Sequence, residues 1–331
     1  MKPTSVLPIV WSLIFFIFFC GTGFGQNQAP LRGEPFSDPS VTTRMPEKWK
    51  EAPITYKPGA EDADITIDLN QQLYSFLLPM VNKYAKENNL KISYSKGTCG
   101  KSFGMLNSKK IDIGGACCPP AALDRLPGLK FHTIGIMALA LLTHPDNPVD
   151  DISLNQARDI FREKTTNWSG VGGPDQPIRP VSSFHCRMRP GHWRLLLDNE
   201  ELFGVNVLEV GEMSDMIYHI AGNPWTIGYE VVLVADLFQD RGKVKPLKIN
   251  GYSPRDPQAL LNGSYPLYRT FSMTTWEGEQ VENPEADKLV AYLLRQMEAN
   301  GGQYGLVTAN RLKKAGWQFS SNELTGEPNL N

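Results

Sequence analysis

Four cysteines lie in segments where the flanking residues predict turns at the ends of strands. Cys99 sits in a Gly/Thr/Cys turn, Cys117 and Cys118 are adjacent after a short apolar run, and Cys186 lies in the segment HCRMRPGHW. Cysteine sulfur can form a disulfide, bind a soft metal ion or act as a nucleophile. These turns are therefore the first candidates for a functional site.

The first interpretation of the four cysteines is a pair of disulfides. Four cysteines allow three pairings. A bond between the neighbours Cys117 and Cys118 would close a strained ring, so two pairings remain. Each of them joins Cys99 to one of the adjacent pair and Cys186 to the other.

A second interpretation is a site for a thiophilic metal or metalloid. Sulfur and imidazole nitrogen are ligands that suit Zn, Cu(I) or arsenite. The sequence has no local C-x-x-C or H-x-x-H spacing, so a metal site depends on the fold bringing distant residues together. Its ligands would come from Cys99, Cys117, Cys118, Cys186 and His192, with His185 as an alternative to His192.

The elements that position the first three cysteines are a series of strands and helices. Residues 64–69 alternate as a strand does, a polar turn follows, and apolar residues then recur at helical spacing. Residues 90–95 and 111–115 predict two further strands. A turn from a strand into a helix exposes backbone N–H groups and favours anions. The turns offer Asn70, Gln71, Gly97, Thr98, Cys99, Gly100, Lys101, Cys117 and Cys118 as ligand-binding residues.

The second half of the chain repeats this organisation. The apolar run 129–143 ends at a prolyl break and predicts a strand crossing into a second lobe, where Ser153 and Gln156 predict the start of a helix. Residues 178–184 predict a strand that leads into the turn of Cys186. Arginine donates paired hydrogen bonds to a tetrahedral oxyanion. The candidates in this turn are Cys186, Arg187, Arg189 and His192.

Composition and the N-terminus indicate an exported protein. The chain has 331 residues, a net charge of -2 and a sequence pI of about 6.2 without a basic run, which argues against a nucleic-acid partner. Residues 1–25 read as a signal peptide cleaved before Gln26, and a retained anchor is the alternative. Cys20 follows the bulky Phe19, so we do not expect a lipoprotein. The proline-rich segment 26–61 predicts a tether or loosely packed arm.

Several longer segments together resemble one protein family. These are KGTCGKSFGMLNSKKIDIGGA, HPDNPVDDISLNQARDIFREKTTNW, VGGPDQPIRPV, IGYE and INGYSP. They are similar to the phosphate-binding, PstS-like solute-binding proteins of ABC transporters. The resemblance implies an α/β, two-lobed type II periplasmic-binding-protein fold with two crossing strands as hinge. Residues 62–144 and 244–331 would form lobe 1 with the C-terminal tail, and residues 145–243 would form lobe 2.

The resemblance also implies a function. The protein would capture phosphate or a related oxyanion between its lobes, as a monomer without cofactor or catalysis, for an ABC permease or a membrane sensor in the periplasm or outside the cell. The sequence departs from the family at its cysteines, because Cys99 stands where Ser or Gly is usual and Cys117 and Cys118 stand in a region of Ser and Asp. Two alternatives follow, the thiophilic metal or metalloid site and a redox-latched or catalytic cysteine protein on the same fold.

Overall fold

A ten-stranded sheet runs through the protein in the computed structural model, which describes residues 36–183, 196–197 and 200–328. The expected signal peptide lies outside the described residues, and so do Cys186, Arg187, Arg189 and His192. Within the described part of the chain, no helix has the length and apolar character needed to cross a membrane.

Helices and strands make up the described part of the chain. The helices are α1 Glu47–Glu51, α2 Gln71–Glu87, α3 Cys99–Asn107, α4 Leu154–Phe161, α5 Met213–Ala221, α6 Val234–Leu237, α7 Pro257–Leu261, α8 Pro284–Asn300 and α9 Ala309–Lys314. The strands are β1 Ile65–Asn70, β2 Ile92–Gly97, β3 Ile113–Ala116, β4 Leu129–Thr143, β5 Asp151–Ile152, β6 Arg179–Ser183, β7 Leu208–Val210, β8 Thr226–Val231, β9 Lys245–Pro246, β10 Lys248–Ile249, β11 Tyr268–Trp276, β12 Leu306–Thr308, β13 Gln318–Ser320 and β14 Glu323–Gly326.

Three parallel strands form the first lobe around β1. The sheet order is β2-β1-β3, followed by β11, which runs antiparallel to β3. Every residue of β1 is buried, so this strand is central and covered on both faces. The close packing of neighbouring side chains needs glycine in β3, because a Cβ atom at Gly114 would lie 2.6 Å from Leu106 Cδ1. This packing fixes the direction in which α3 leaves its turn.

The long strand β4 connects the two lobes. Its first part pairs with β11 and its last five residues pair with β8, both antiparallel. The parallel strands β6, β7 and β8 form the second lobe's part of the sheet. In residues 244–249, β9 lies antiparallel beside the end of β4, and β10 lies parallel to β5. The residue bounds of the two lobes stay a prediction.

The described part of the proline-rich segment packs on the first lobe, contrary to the expectation of a loose arm. Ser37 Oγ donates to Pro120 O at 2.6 Å, and Trp49 Nε1 donates to Asn107 O at 2.6 Å. The buried guanidinium of Arg125 donates to Ser37 O at 3.0 Å. The bonded residues are far apart in sequence, so these contacts could not be predicted from hydrophobic periodicity within the segment.

Candidate ligand-binding site

The carboxyl ends of β1, β2 and β3 meet at one edge of the sheet. The register places Asn70 opposite Gly97, and Leu69 opposite Gly115, one residue before the end of β3. In open α/β sheets this edge is where ligands bind. The turns that follow the three strands therefore form one candidate site.

The start of α2 carries three buried polar side chains. Asn70 Oδ1 accepts a hydrogen bond from Leu73 N at 3.3 Å and caps the helix, while its Nδ2 donates to Gln72 Oε1. Gln71 Nε2 donates to Gly211 O of the second lobe at 3.0 Å. Gln71 Oε1 is buried and has no hydrogen-bond partner among the described residues. A buried acceptor of this kind normally has a partner.

The start of α3 holds Lys101 in an ion pair beneath the turn. Thr98 Oγ1 accepts from Lys101 N at 3.2 Å and caps the helix. Lys101 Nζ lies 2.6 Å from Oδ2 of the fully buried Asp68. A Cβ atom at Gly97 would lie 2.4 Å from Lys101 Cδ, so glycine at this position leaves room for the lysine side chain. Gly100, in the first turn of α3, is exposed. The positive charge of Lys101 is consequently balanced by a carboxylate of the protein.

Three cysteine sulfurs cluster behind these turns. The Sγ atoms of Cys99 and Cys117 are 3.2 Å apart, and those of Cys99, Cys117 and Cys118 all lie within 4.8 Å of one another. Cys117 N donates to Cys99 Sγ at 3.1 Å. Hydrogen bonds with Cys118 and Cys99, together with burial, raise the pKa of the Cys117 thiol well above its ordinary value. The predicted proximity of Cys99 to the adjacent pair is therefore observed, and disulfide bonding itself stays a prediction.

A buried charged cluster beside the sulfurs was not predicted from the sequence. Glu230 in β8 and Arg269 in β11 have no exposed side-chain area, and Arg269 Nε lies 3.8 Å from Glu230 Oε1. Gln72 Nε2 donates to the same carboxylate oxygen at 3.0 Å, and Arg269 Nη1 donates to Cys117 Sγ at 3.6 Å. The signal in the sequence was a charged residue inside each apolar strand, since a buried charge requires a partner.

The two lobes contact each other at this site. Besides the bond from Gln71 to Gly211, Lys96 Nζ lies 2.9 Å from Glu212 Oε2, and Gln72 Nε2 donates to Glu230 Oε1 at 3.0 Å. Residues of α2 and β2 in lobe 1 thus face residues of β8 and of the turn before α5 in lobe 2. At or beside this interface the structure brings together the predicted site residues of the first lobe: Asn70, Gln71, Gly97, Thr98, Cys99, Gly100, Lys101, Cys117 and Cys118. Outside the described residues lie the predicted site residues of the second lobe: Cys186, Arg187, Arg189 and His192.

Comparison with known proteins agrees with this arrangement. Residues 55–183, which include all three turns of the first lobe, match the family described as PBP superfamily domain. The phosphate-binding protein PstS of Bacillus subtilis (strain 168) is 26% identical over 219 residues, covering 63% of this chain and 70% of that protein. The resemblance to phosphate-binding solute-binding proteins inferred from the sequence is confirmed.

Solved structures show a similar fold over a longer part of the chain than residues 55–183. A protein assigned as a phosphate ABC transporter substrate-binding protein, with bound phosphate, from Clostridium perfringens has a TM-score of 0.65 and 22% identity, covering 74% of this chain and 98% of that chain. An ABC-type phosphate transport receptor from Vibrio cholerae has a TM-score of 0.59 and 18% identity, covering 74% and 99%. At these identities the likeness shows the fold, and the predicted two-lobed α/β fold is confirmed.

Proposed function

We propose that this protein is an exported solute-binding protein that holds phosphate or a closely related oxyanion between its lobes and releases it chemically unchanged. The observation that carries the proposal is the meeting of two helix N-termini, those of α2 and α3, at the edge where lobe 1 contacts lobe 2. Free backbone N–H groups and the helix dipole favour an anion at such a position. The relatives described as phosphate-binding support the choice of anion.

The balance of side-chain charges limits how the anion is held. In the described part of the site, Lys101 is paired with Asp68 and Arg269 with Glu230, so these side chains contribute no net formal charge. The anion's charge would then be met by the N-termini of α2 and α3 and by Arg187 or Arg189 from the second lobe. An arginine suits this role because its planar fork donates two hydrogen bonds to one tetrahedral oxyanion.

The unpartnered Gln71 Oε1 favours a ligand that carries a proton. A protonated phosphate has an O–H group that can donate to this oxygen, whereas sulfate at neutral pH has only acceptor oxygens. Leaving a buried acceptor unpaired costs about 1–3 kcal/mol. We therefore expect the site to prefer phosphate and arsenate over sulfate by roughly tenfold or more.

The biological partner would be an ABC permease or a membrane sensor that reads the closed, ligand-bound form. The contacts of Gln71 with Gly211 and of Lys96 with Glu212 join the lobes, so ligand binding between them would couple to their relative position. We expect the protein to act in this role as a monomer and without a cofactor.

Equilibrium dialysis with radiolabelled phosphate tests the proposal. The purified protein should bind about one phosphate per chain, arsenate should displace it, and sulfate should not displace it at equal concentration. Displacement by sulfate as effective as that by arsenate would contradict the proposed recognition. A protein that retains no phosphate at millimolar concentration would contradict the function itself.

A further inference from the structure

The sulfurs of Cys99, Cys117 and Cys118 form a second, separate chemical feature of the site. We infer that these three cysteines bind one trivalent metalloid, as arsenous acid or its antimony analogue, through three sulfur bonds. The inference does not rest on phosphate binding, because the sulfurs belong to the buried core and not to the backbone N–H groups that would hold an oxyanion.

The geometry provides three sulfurs at short range from two rigid elements. Cys99 is the first residue of α3, and Cys117 and Cys118 follow directly after β3, which is held between β1 and β11. All three side chains are buried, and their Sγ atoms lie within 4.8 Å of one another. Little movement is needed to place all three sulfurs around one central atom.

Charge distinguishes a trivalent metalloid from a metal cation at this position. The cysteines belong to an apolar cluster with Phe103, Leu106 and Ala116. Three thiolates around a divalent zinc ion would leave one negative charge there, and around Cu(I) they would leave two. A metalloid bound to three sulfurs is neutral, and burial of an unbalanced charge is costly. The guanidinium of Arg269 beside Cys117 is paired with Glu230, so it leaves no net charge to balance an anionic complex, and the surroundings favour the neutral one.

The bonds formed and broken in this reaction are balanced without an oxidant or a reductant. Arsenous acid carries three hydroxyl groups; each As–O bond is replaced by an As–S bond, and each thiol proton leaves with a hydroxyl group as water. Arsenic stays trivalent. Neutral arsenous acid and three neutral thiols thus give a neutral product and three water molecules. Binding should consequently release no protons, whereas binding of zinc or Cu(I) to the same thiols would release them.

Hydrogen bonds to the sulfurs support the same conclusion. Cys117 N donates to Cys99 Sγ at 3.1 Å, and the guanidinium of Arg269 donates to Cys117 Sγ at 3.6 Å. Donors of this kind stabilise the electron-rich sulfur of a bond to arsenic or antimony, and they fix the direction in which the sulfurs point.

The test uses the full chain carrying Cys20→Ser and Cys186→Ser, reduced with a phosphine, since a dithiol reductant would itself bind arsenite. Titration with sodium arsenite should give one arsenic per chain, and X-ray absorption should show three sulfur neighbours and no oxygen. A third substitution that removes one of the three sulfurs should weaken arsenite binding about a hundredfold, because one tethered ligand is lost. The variants are Cys99→Ser, Cys117→Ser and Cys118→Ser, each made separately.

Several results would overturn the inference. These are an absence of arsenic uptake, a site with one or two sulfur neighbours, affinity unaffected by Cys118→Ser, and uptake of zinc or Cu(I) where arsenite does not bind. Circular dichroism confirms that each serine variant is folded, and the sulfur count in the parent protein does not depend on those variants. Phosphate binding, measured on the same parent sample, tests the proposed function independently.

Discussion

Glu230 and Arg269 lie on either side of β4, from β8 in the second lobe and β11 in the first, and neither side chain has exposed area. The same carboxylate accepts from Gln72 at the start of α2, and the same guanidinium donates to Cys117. Through these bonds the pair, which lies beside β4, contacts two of the turns that form the candidate site: the start of α2 and the turn after β3. A change at this pair should affect both stability and the site.

The first prediction concerns the stability provided by this pair. Glu230→Gln should lower the free energy of unfolding by about 3 kcal/mol, because it leaves the buried Arg269 without a balancing charge. Urea unfolding measures the loss. Asp236→Asn is the matched control, since it breaks an exposed pair with Arg255 (2.9 Å) and should cost less than about 1 kcal/mol. Equal losses in the two variants would contradict the account.

The second prediction separates the capping role of Asn70 from its place in the site. Asn70 and Asn283 each cap a 17-residue helix, α2 and α8 respectively. Asn70→Ala and Asn283→Ala should each cost about 1 kcal/mol in urea unfolding. Only Asn70→Ala should weaken phosphate binding, because α8 begins away from the site. If the two variants bound phosphate equally well, Asn70 would have a structural role alone.

The third prediction concerns selectivity at the start of α2. Gln71→Leu removes the unpartnered oxygen and the bond to Gly211, so the variant should lose most of its preference for phosphate over sulfate. Competition dialysis of the two anions measures the ratio. Retention of full selectivity would show that a different group recognises the ligand's proton.

The fourth prediction is an alkaline loss of stability from Tyr56. Burial and the neighbouring Asp112 carboxylate, to which Tyr56 donates at 2.8 Å, raise the pKa of Tyr56. Its contribution is complete below about pH 10, the unfolded pKa, and is lost as the pH rises above it. Relative to Tyr56→Phe, the free energy of unfolding of the parent protein should fall as the pH rises above this value. The fall should be less than about 1.4 kcal/mol per pH unit, because solvent screens this half-exposed ring. Parallel pH profiles would contradict the assignment.

Local sequence signals predicted several elements of the fold. Ser153 and Gln156 cap each other's backbone as expected, and β4 covers the same residues as the apolar run 129–143. These features depend on neighbours within a few residues, so they can be recognised without knowledge of the fold.

The charged cluster could not be derived in the same way. Glu230 and Arg269 come from different lobes, and their pairing depends on both flanking β4. Asp68 similarly sits fully buried in β1, where Lys101 and Ser102 from α3 satisfy it. The alternation in 64–69 predicted the strand, but burial of its polar residues depends on these tertiary partners, which the alternation does not reveal.

The central claim is that this cleft still binds an oxyanion despite its cysteines. Calorimetric titration of the reduced protein with phosphate, repeated on a variant with Cys99, Cys117, Cys118 and Cys186 changed to serine, tests it most directly. We predict saturable binding of one phosphate per chain in both proteins, because the anion is held by helix N-termini and arginine. Failure of the reduced parent protein to bind phosphate would contradict the account.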